Sequence, residues 1–296
     1  MTNKITIPVI YSTDHNFIIP TIVSIKSMLL QSTDVRCDIY ILHSDDVNDR
    51  DKEMLNKTVS AHDSSIKYIP MGDSAAGGFE IRDISKSCYY RLYIPWLLPS
   101  LDKVLYIDGD TVIKSSIKEL WDCDISDYYY GGIMAFATYN NDKKFIKYCK
   151  SINLDANHYI NSGILSINCK LLRNDDMKER MISRVKEKLL YQDQDIINLE
   201  CKGKIKLLPT RFNSNAGCAL KKGYLKGEPP AIIHYPGIKP WKNFTYYWRD
   251  WWDIYALIPG SDPEMEINLS RDIMNMESYI SFRKLIKILC KKIIKR

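Results

Sequence analysis

Val104-Leu105-Tyr106-Ile107-Asp108-Gly109-Asp110 is an apolar run that stops on two carboxylates one residue apart. The apolar part reads as a buried strand. In extended backbone, residues i and i+2 point to the same side, so Asp108 and Asp110 converge on one point just past the strand end. Gly109 lacks a Cβ and lets a bulky ligand come close to the backbone there. Two like charges this close ask for a cation between them, and hard carboxylate oxygens suit Mg2+, Mn2+ or Ca2+. Ligands of open α/β sheets sit beyond the carboxyl ends of strands. Asp-Gly is also an ordinary turn pair, so the rest of the chain has to decide between a site and a solvated turn.

Working outward, strands and helices alternate. Lys4–Tyr11, Cys37–His43, Ile66–Pro70, Tyr129–Phe136, Gly163–Asn168, Ile205–Leu208 and Ala231–Tyr235 read as strands. Helices are expected from Pro20 to Gln31, from an Asn48 or Asp49 cap to Ala61, over Ser85–Leu98 with Pro95 and Pro99 ending it, over Asn141–Ser151, over Leu171–Leu190 and over Tyr191–Cys201. Gly72–Gly78 reads as a loop. This alternation predicts an α/β fold built on a sheet with parallel strands. Its 296 residues suffice for one large domain with an appendage.

Composition excludes several classes. The eight cysteines (37, 88, 123, 149, 169, 201, 218 and 290) contain no Cys-x-x-Cys pair, which fits reduced, buried thiols rather than zinc ligands or a disulfide framework. The apolar run after Lys4 is too short for a secretory signal, and no stretch reaches the length of a membrane-spanning helix. The net charge of +6 is concentrated at the end: residues 279–296 hold seven Lys and Arg and no acid. Without them the body has 35 basic against 36 acidic residues, so nucleic acid is not an expected partner.

Two C-terminal segments stand out. Trp241, Phe244, Tyr246, Tyr247, Trp248, Trp251, Trp252 and Tyr255 fall within fifteen residues and read chiefly as a helix packed on the body through its rings, with a sugar-stacking platform as the second reading. In the tail, Phe282, Leu285, Leu289 and Ile293 share one helical face, and Lys284, Lys287, Lys291 and Lys295 another. A basic amphipathic helix of this kind suits an anionic membrane surface, at about 1 kcal/mol per basic residue.

Polar groups are expected at one end of the sheet in five places: Asp14 with Asn16, Asp108 with Asp110, Asn161 with Ser162, Asp193 with Gln194, and His234 with Lys239. His234 follows the apolar Ala231-Ile232-Ile233 and can complete an Asp/Asp/His set around Mn2+. Lys239 is a candidate phosphate ligand.

In this order, Ser12-Thr13-Asp14-His15-Asn16-Phe17, Tyr90-Arg91-Leu92, Tyr106-Ile107-Asp108-Gly109-Asp110, Ile160-Asn161-Ser162-Gly163, Tyr191-Gln192-Asp193-Gln194-Asp195, His234-Tyr235 and Lys239-Pro240-Trp241 resemble glycosyltransferase family 8. This is the retaining GT-A group that includes bacterial lipopolysaccharide galactosyl- and glucosyltransferases and glycogenin. The resemblance implies a Rossmann-like GT-A fold over residues 1–245, with residues 246–296 as an aromatic-rich helical segment and basic tail. It implies a hexose (glucose or galactose) moved from a UDP-sugar to a glycan hydroxyl, and the basic tail and aromatic segment suggest a glycan or lipid-linked saccharide as acceptor at the cytoplasmic face of the inner membrane. Asp14 and Asn16, with the backbone of Ser12 and Thr13, would hold the uridine. Arg91 would meet the donor sugar and diphosphate. Asp108, Asp110 and His234 would hold Mn2+, or Mg2+, with Gly109 beside them. Asn161, Ser162, Gly163, Asp193 and Gln194 would line the sugar, and Gly237 and Lys239 the diphosphate. Asp193 and Gln194 are the candidates on the face opposite the leaving group. Front-face attack is favoured, with Gln194 positioning or stabilising charge.

The sequence departs from the family pattern in places. The His234–Lys239 interval is one residue short, which loosens the role of Gly237. Met134-Ala135-Phe136 lacks the Asp by which some galactosyltransferases contact sugar hydroxyls, and Asp83 stands where some relatives use a His near the acceptor. Asp108-Gly109-Asp110-Thr111-Val112 also resembles the first motif of haloacid-dehalogenase-type phosphatases, although that motif normally follows the first strand of its domain. A non-catalytic nucleotide-sugar-binding module is the remaining alternative.

Overall fold

The structure is a computed structural model. It describes residues 4–75, 78–80, 85–218, 224–225, 227–262, 264–265 and 268. The basic tail 279–296, Cys290 and Asp83 therefore lie outside the described residues.

The described residues form ten strands: β1 (Thr6–Thr13), β2 (Arg36–His43), β3 (Ser65–Pro70), β4 (Lys103–Ile107), β5 (Thr111–Ile113), β6 (Tyr130–Met134), β7 (Ile160–Asn168), β8 (Ile205–Leu207), β9 (Ser214–Asn215) and β10 (Ile232–His234). Seven form one sheet in the order β3-β2-β1-β4-β7-β6-β8, and β5-β10-β9 form a second. The stretch ending in Asp108 is thus the middle strand of the main sheet. From β3 to β4 every pairing is parallel, while β7 runs antiparallel to both β4 and β6. The sheet is therefore mixed, and parallel-rich as expected.

Both faces are covered, as a parallel-rich sheet requires. Along β4, Val104 and Tyr106 enter one core, with Ile10, Leu165 and Ile197, while Leu105 and Ile107 enter the other, with Ile22, Ile41 and Trp251. The two-residue side-chain period produces this split. The helix Ile18–Gln31 lies in the second core, with Pro20 in its first turn, where the missing N–H costs nothing. Asn48 caps the helix Asp49–Ser60 in a capping box with Asp51.

Two helix expectations need correction. Residues Lys86–Tyr93 form a 3-10 helix followed by a short α turn, Ile94–Leu97. Pro95 sits in the first turn of that α segment and opens it rather than ending it. The span Leu171–Leu190 is broken into Cys169–Asn174, Met177–Ser183 and a 3-10 turn at Arg184–Lys186. The break falls at Asp175–Asp176: Tyr129 donates its hydroxyl to Asp175 at 2.6 Å, and Asp176 takes a left-handed φ of 53°, which Asp tolerates better than most residues. Gly72–Ala75 is a 3-10 turn rather than open loop.

The aromatic segment forms the helix Trp248–Tyr255. Trp251 and Trp252 are fully buried, Trp251 stacks on Tyr255 with ring centroids 5.4 Å apart, and Trp252 donates its indole N–H to the Pro240 carbonyl at 3.0 Å. Packing thus accounts for these rings, while Phe244 and Tyr246 face outward. Replacing Trp251 by alanine should cost about 3–5 kcal/mol, measurable as a lower denaturant midpoint. Of the seven described cysteines, all but Cys123 are buried. Among the described residues no helix is long and apolar enough to cross a membrane.

Candidate active site

Asp108-Gly109-Asp110 is the junction where the chain leaves β4 in the main sheet and enters β5 in the small one. That junction decides what meets there. β1 runs parallel beside β4 and ends in Ser12 and Thr13. β7 runs antiparallel on the other side and starts with Ile160-Asn161-Ser162-Gly163 at the same end. β10 pairs with β5, placing His234 opposite Thr111.

One donor atom from each of Asp108, Asp110 and His234 lies within 4.8 Å of the other two. His234 Nε2 is 3.3 Å from Asp110 Oδ1 and 3.8 Å from Asp108 Oδ2. The glycine of β7 permits this approach: a Cβ on Gly163 would stand 2.4 Å from His234 Cε1 and 2.7 Å from Asp108 Oδ2. Gly109 has a different reason from the one read in the sequence. Its missing Cβ faces the helix Ile18–Gln31, 2.5 Å from Thr21 Oγ1, so it lets the junction pack on that helix.

The carboxylates are tied to cations on two sides. Burial alone would raise the Asp110 carboxyl, but Lys239 and His234 together pull it well below the ordinary carboxylate range. Lys239 Nζ is ion-paired with Asp110 and also donates to the Tyr235 carbonyl at 2.7 Å. On the other side Arg91 is almost wholly buried, with its guanidinium 4.4 Å from the Tyr106 ring centroid. It pairs with Asp108 Oδ1 at 3.0 Å and donates to the Ser162 carbonyl at 2.5 Å. Tyr106 gives Asp108 Oδ1 a hydrogen bond of 2.8 Å.

Asp193 and Gln194 come from the first turn of the helix Gln192–Glu200. Arg91 Nε lies 3.1 Å from Asp193 Oδ2, but its hydrogen goes to the Cys88 carbonyl at 2.9 Å. That Asp193 oxygen is buried without a hydrogen bond. Burial pushes the Asp193 carboxyl up, and Arg91 only partly opposes it. Gln194 Oε1 accepts from Asn161 Nδ2 at 2.9 Å and from the Ser162 amide at 3.2 Å, so its amide nitrogen is the donating end, with the Tyr159 hydroxyl within its reach.

The nucleoside-side residues are looser. Asp14 caps the 3-10 turn His15–Phe17 by accepting from the Phe17 amide at 3.1 Å, and it accepts from Ser85 Oγ at 2.7 Å. Asn16 is exposed with no side-chain partner among the described residues. A Cβ on Gly237 would meet nothing within 4 Å. The structure therefore gathers Arg91, Asp108, Asp110, Asn161, Ser162, Gly163, Asp193, Gln194, His234 and Lys239 into one connected cluster. Ser12, Thr13 and Asp14 stand at the neighbouring strand end, Asn16 is exposed, and Gly237 has open space where a Cβ would be.

The donor set fits a divalent cation: two carboxylates and a histidine converge at a strand end, and a glycine clears the space between them. Sequence reading missed Asn213, which accepts from His234 Nδ1 at 2.8 Å. No local pattern marks it, since only the pairing of β9 with β10 brings it to the histidine. The Tyr106 hydroxyl reaches Asp108 from within β4, a contact that the apolar pattern of the strand does not signal.

A family model described as Glycosyl transferase family 8 matches residues 8–245. A Haemophilus influenzae protein named as a glycosyltransferase without a stated donor or acceptor is 33% identical over 241 residues, covering 78% of this chain and 72% of its own. Lipopolysaccharide 1,2-glucosyltransferase of Escherichia coli is 27% identical, covering 82% and 75%. Glycosyltransferase GlyB of Streptococcus pneumoniae is 24% identical over 90% of this chain, which spans only 65% of GlyB. Among solved structures, galactosyltransferase LgtC in complex with donor and acceptor sugar analogs superposes with a TM-score of 0.76 at 24% identity, covering 88% of this chain and 99% of LgtC. That likeness establishes the GT-A fold. With the family model spanning most of the chain, the protein is a glycosyltransferase and belongs to glycosyltransferase family 8.

Proposed function

We propose that the protein moves a hexose from a UDP-sugar to a glycan hydroxyl, with retention of anomeric configuration, in the assembly of lipopolysaccharide or another cell-surface saccharide. The observation that carries this reading is the convergence of Asp108, Asp110 and His234 around the cleared space at Gly163, with Lys239 and Arg91 on either side. The relative named lipopolysaccharide 1,2-glucosyltransferase and the donor and acceptor analogs in the LgtC complex support the substrate class. The phosphatase reading of Asp108 falls with the family, and so does the non-catalytic binding module.

Each group has a task in this reading. Asp108, Asp110 and His234 would hold Mn2+, which supplies charge neutralisation to the leaving diphosphate without a proton. Lys239, now on Asp110, is the cation able to turn to a phosphate oxygen, with the Gly237 backbone nearby. Ser12, Thr13, Asp14 and Asn16 would receive the uridine. Asp193, buried beside Arg91, would border the donor sugar, with Asn161 and Ser162 lining the same side. Gln194 has its carbonyl oxygen taken by two N–H groups. It is thereby a donor to the reacting sugar rather than a nucleophile, which favours front-face attack over a glycosyl-enzyme intermediate.

The catalytic unit would be residues 1–245. Residues 246–296 would be an appendage whose first helix is fastened by Trp251 and Trp252 and whose basic end, 279–296, meets an anionic membrane surface on the cytoplasmic side. UDP release from a panel of UDP-hexoses with Mn2+, with product anomers read by NMR, tests the activity. Release requiring Mn2+ and a retained anomer are expected, whereas an inverted anomer or no turnover of any UDP-hexose refutes the reading. Deleting 279–296 should abolish sedimentation with anionic vesicles and spare UDP release, and unchanged sedimentation would refute the tail's role.

A further inference from the structure

Asn213 ends a 3-10 turn, Thr210–Asn213, and leads directly into β9. It is buried, as is His234. An asparagine Oδ1 only accepts hydrogen bonds. The 2.8 Å contact with His234 Nδ1 therefore keeps a proton on Nδ1, so Nε2, which faces Asp108 and Asp110, is the nitrogen that a metal would take in place of a proton. That is the tautomer a metal-ligating histidine needs. The other end of the same amide is also used: Asn213 Nδ2 donates to Asn161 Oδ1 at 2.8 Å. Asn161 Nδ2 in turn donates to Gln194 Oε1 at 2.9 Å, and Asn161 Oδ1 also accepts from the Gly163 amide at 3.0 Å. The donors run in one direction, from His234 through Asn213 and Asn161 to Gln194. The relay ends by occupying the Gln194 carbonyl oxygen and leaving its NH2 to the substrate.

We propose that Asn213 is a positioning residue that sets two things at once: the metal-binding tautomer of His234, and, through Asn161, the donor orientation of Gln194. This rests on the metal-site reading above. The two roles are separable because they use different atoms of one amide. Asn213→Asp keeps an oxygen for His234 Nδ1–H but loses the donor to Asn161. Asn213→Ala loses both.

The test is a Mn2+ titration of the full chain in the presence of saturating UDP, followed by EPR, with the histidine tautomer read from long-range 1H–15N spectra of the metal-free protein. Wild type should show His234 protonated on Nδ1. Asn213→Ala should bind Mn2+ about 10–100-fold more weakly, and Asn213→Asp within about threefold of wild type. In donor turnover, Asn213→Asp should lose kcat with little change in KM. Should Asn213→Ala fail to fold, the wild-type tautomer and the Asn213→Asp comparison decide alone. His234 without a proton on Nδ1, equal Mn2+ affinity in Asn213→Ala and wild type, an Asn213→Asp with unchanged kcat, or an Asn213→Asp that binds Mn2+ as weakly as the expected alanine variant would each overturn the proposal. A wild type that binds Mn2+ while Asn213→Ala binds it equally well overturns this inference alone. A wild type that takes up no Mn2+ overturns the metal reading as well.

Discussion

The two sides of the candidate site are built differently. The side around Asp108, Asp110 and His234 is assembled from four strands and a turn far apart in sequence, with nearly every polar atom already engaged. The side around Asp14, Asn16 and Gly237 consists of local turns, with Asn16 exposed and open space beside Gly237. The first is fixed by the fold before any ligand arrives, as electrostatic stabilisation of a leaving group demands. The second is left to be completed by whatever binds. Substitutions should therefore grade steeply from one side to the other.

The largest effect is expected at the junction itself. Asp110→Ala should lower turnover at least about 10²–10³-fold with the far-UV CD spectrum unchanged, and a variant that keeps wild-type turnover would remove Asp110 from the mechanism. Gly163→Ala comes next. Its Cβ would collide with His234 and Asp108, so Mn2+ affinity should drop about 10–100-fold and stability by about 1–3 kcal/mol. Calorimetry showing both unchanged would mean the metal side is less rigid than the geometry says.

On the looser side, Asp14→Ala removes a cap and the bond from Ser85. It should cost about 1 kcal/mol in stability and weaken UDP binding several-fold while leaving the Mn2+ response intact; a loss of Mn2+ binding as large as that of Gly163→Ala would erase the contrast. Gly237→Ala should be the mildest change, within about 0.5 kcal/mol in a denaturant melt, since its backbone is not left-handed and a Cβ there meets nothing. A clear stability loss would show that the turn is more tightly packed than the structure has it.

The same contrast governs what the sequence disclosed. Asp108 and Asp110 were legible because a strand's two-residue period determines where their side chains go, and β4 obeys it. Pro20 in the first turn of its helix and the Asn48 cap were legible because they are local chemistry. Gly163 and Asn213 were not legible in their roles, because the first matters through His234 and Asp108, which other strands bring beside it, and the second only through the pairing of β9 with β10. The expected helix over Leu171–Leu190 failed for a related reason. Its periodicity was right within each piece, but the tertiary bond from Tyr129 to Asp175 and a left-handed Asp176 break it. Gly109 was correctly picked out as a close approach, yet what approaches is Thr21 and not a ligand.

The central claim is that a divalent cation and a uridine diphosphate are held jointly at the junction of β4 and β5. Calorimetric titration of UDP into the wild type and into Asp110→Ala, each with and without Mn2+, tests it most directly. The account predicts that Mn2+ tightens UDP binding at least about tenfold in the wild type, or about 1.4 kcal/mol, and has no effect in Asp110→Ala. UDP that binds equally well with and without Mn2+, or a Mn2+ effect that survives in Asp110→Ala, would contradict it.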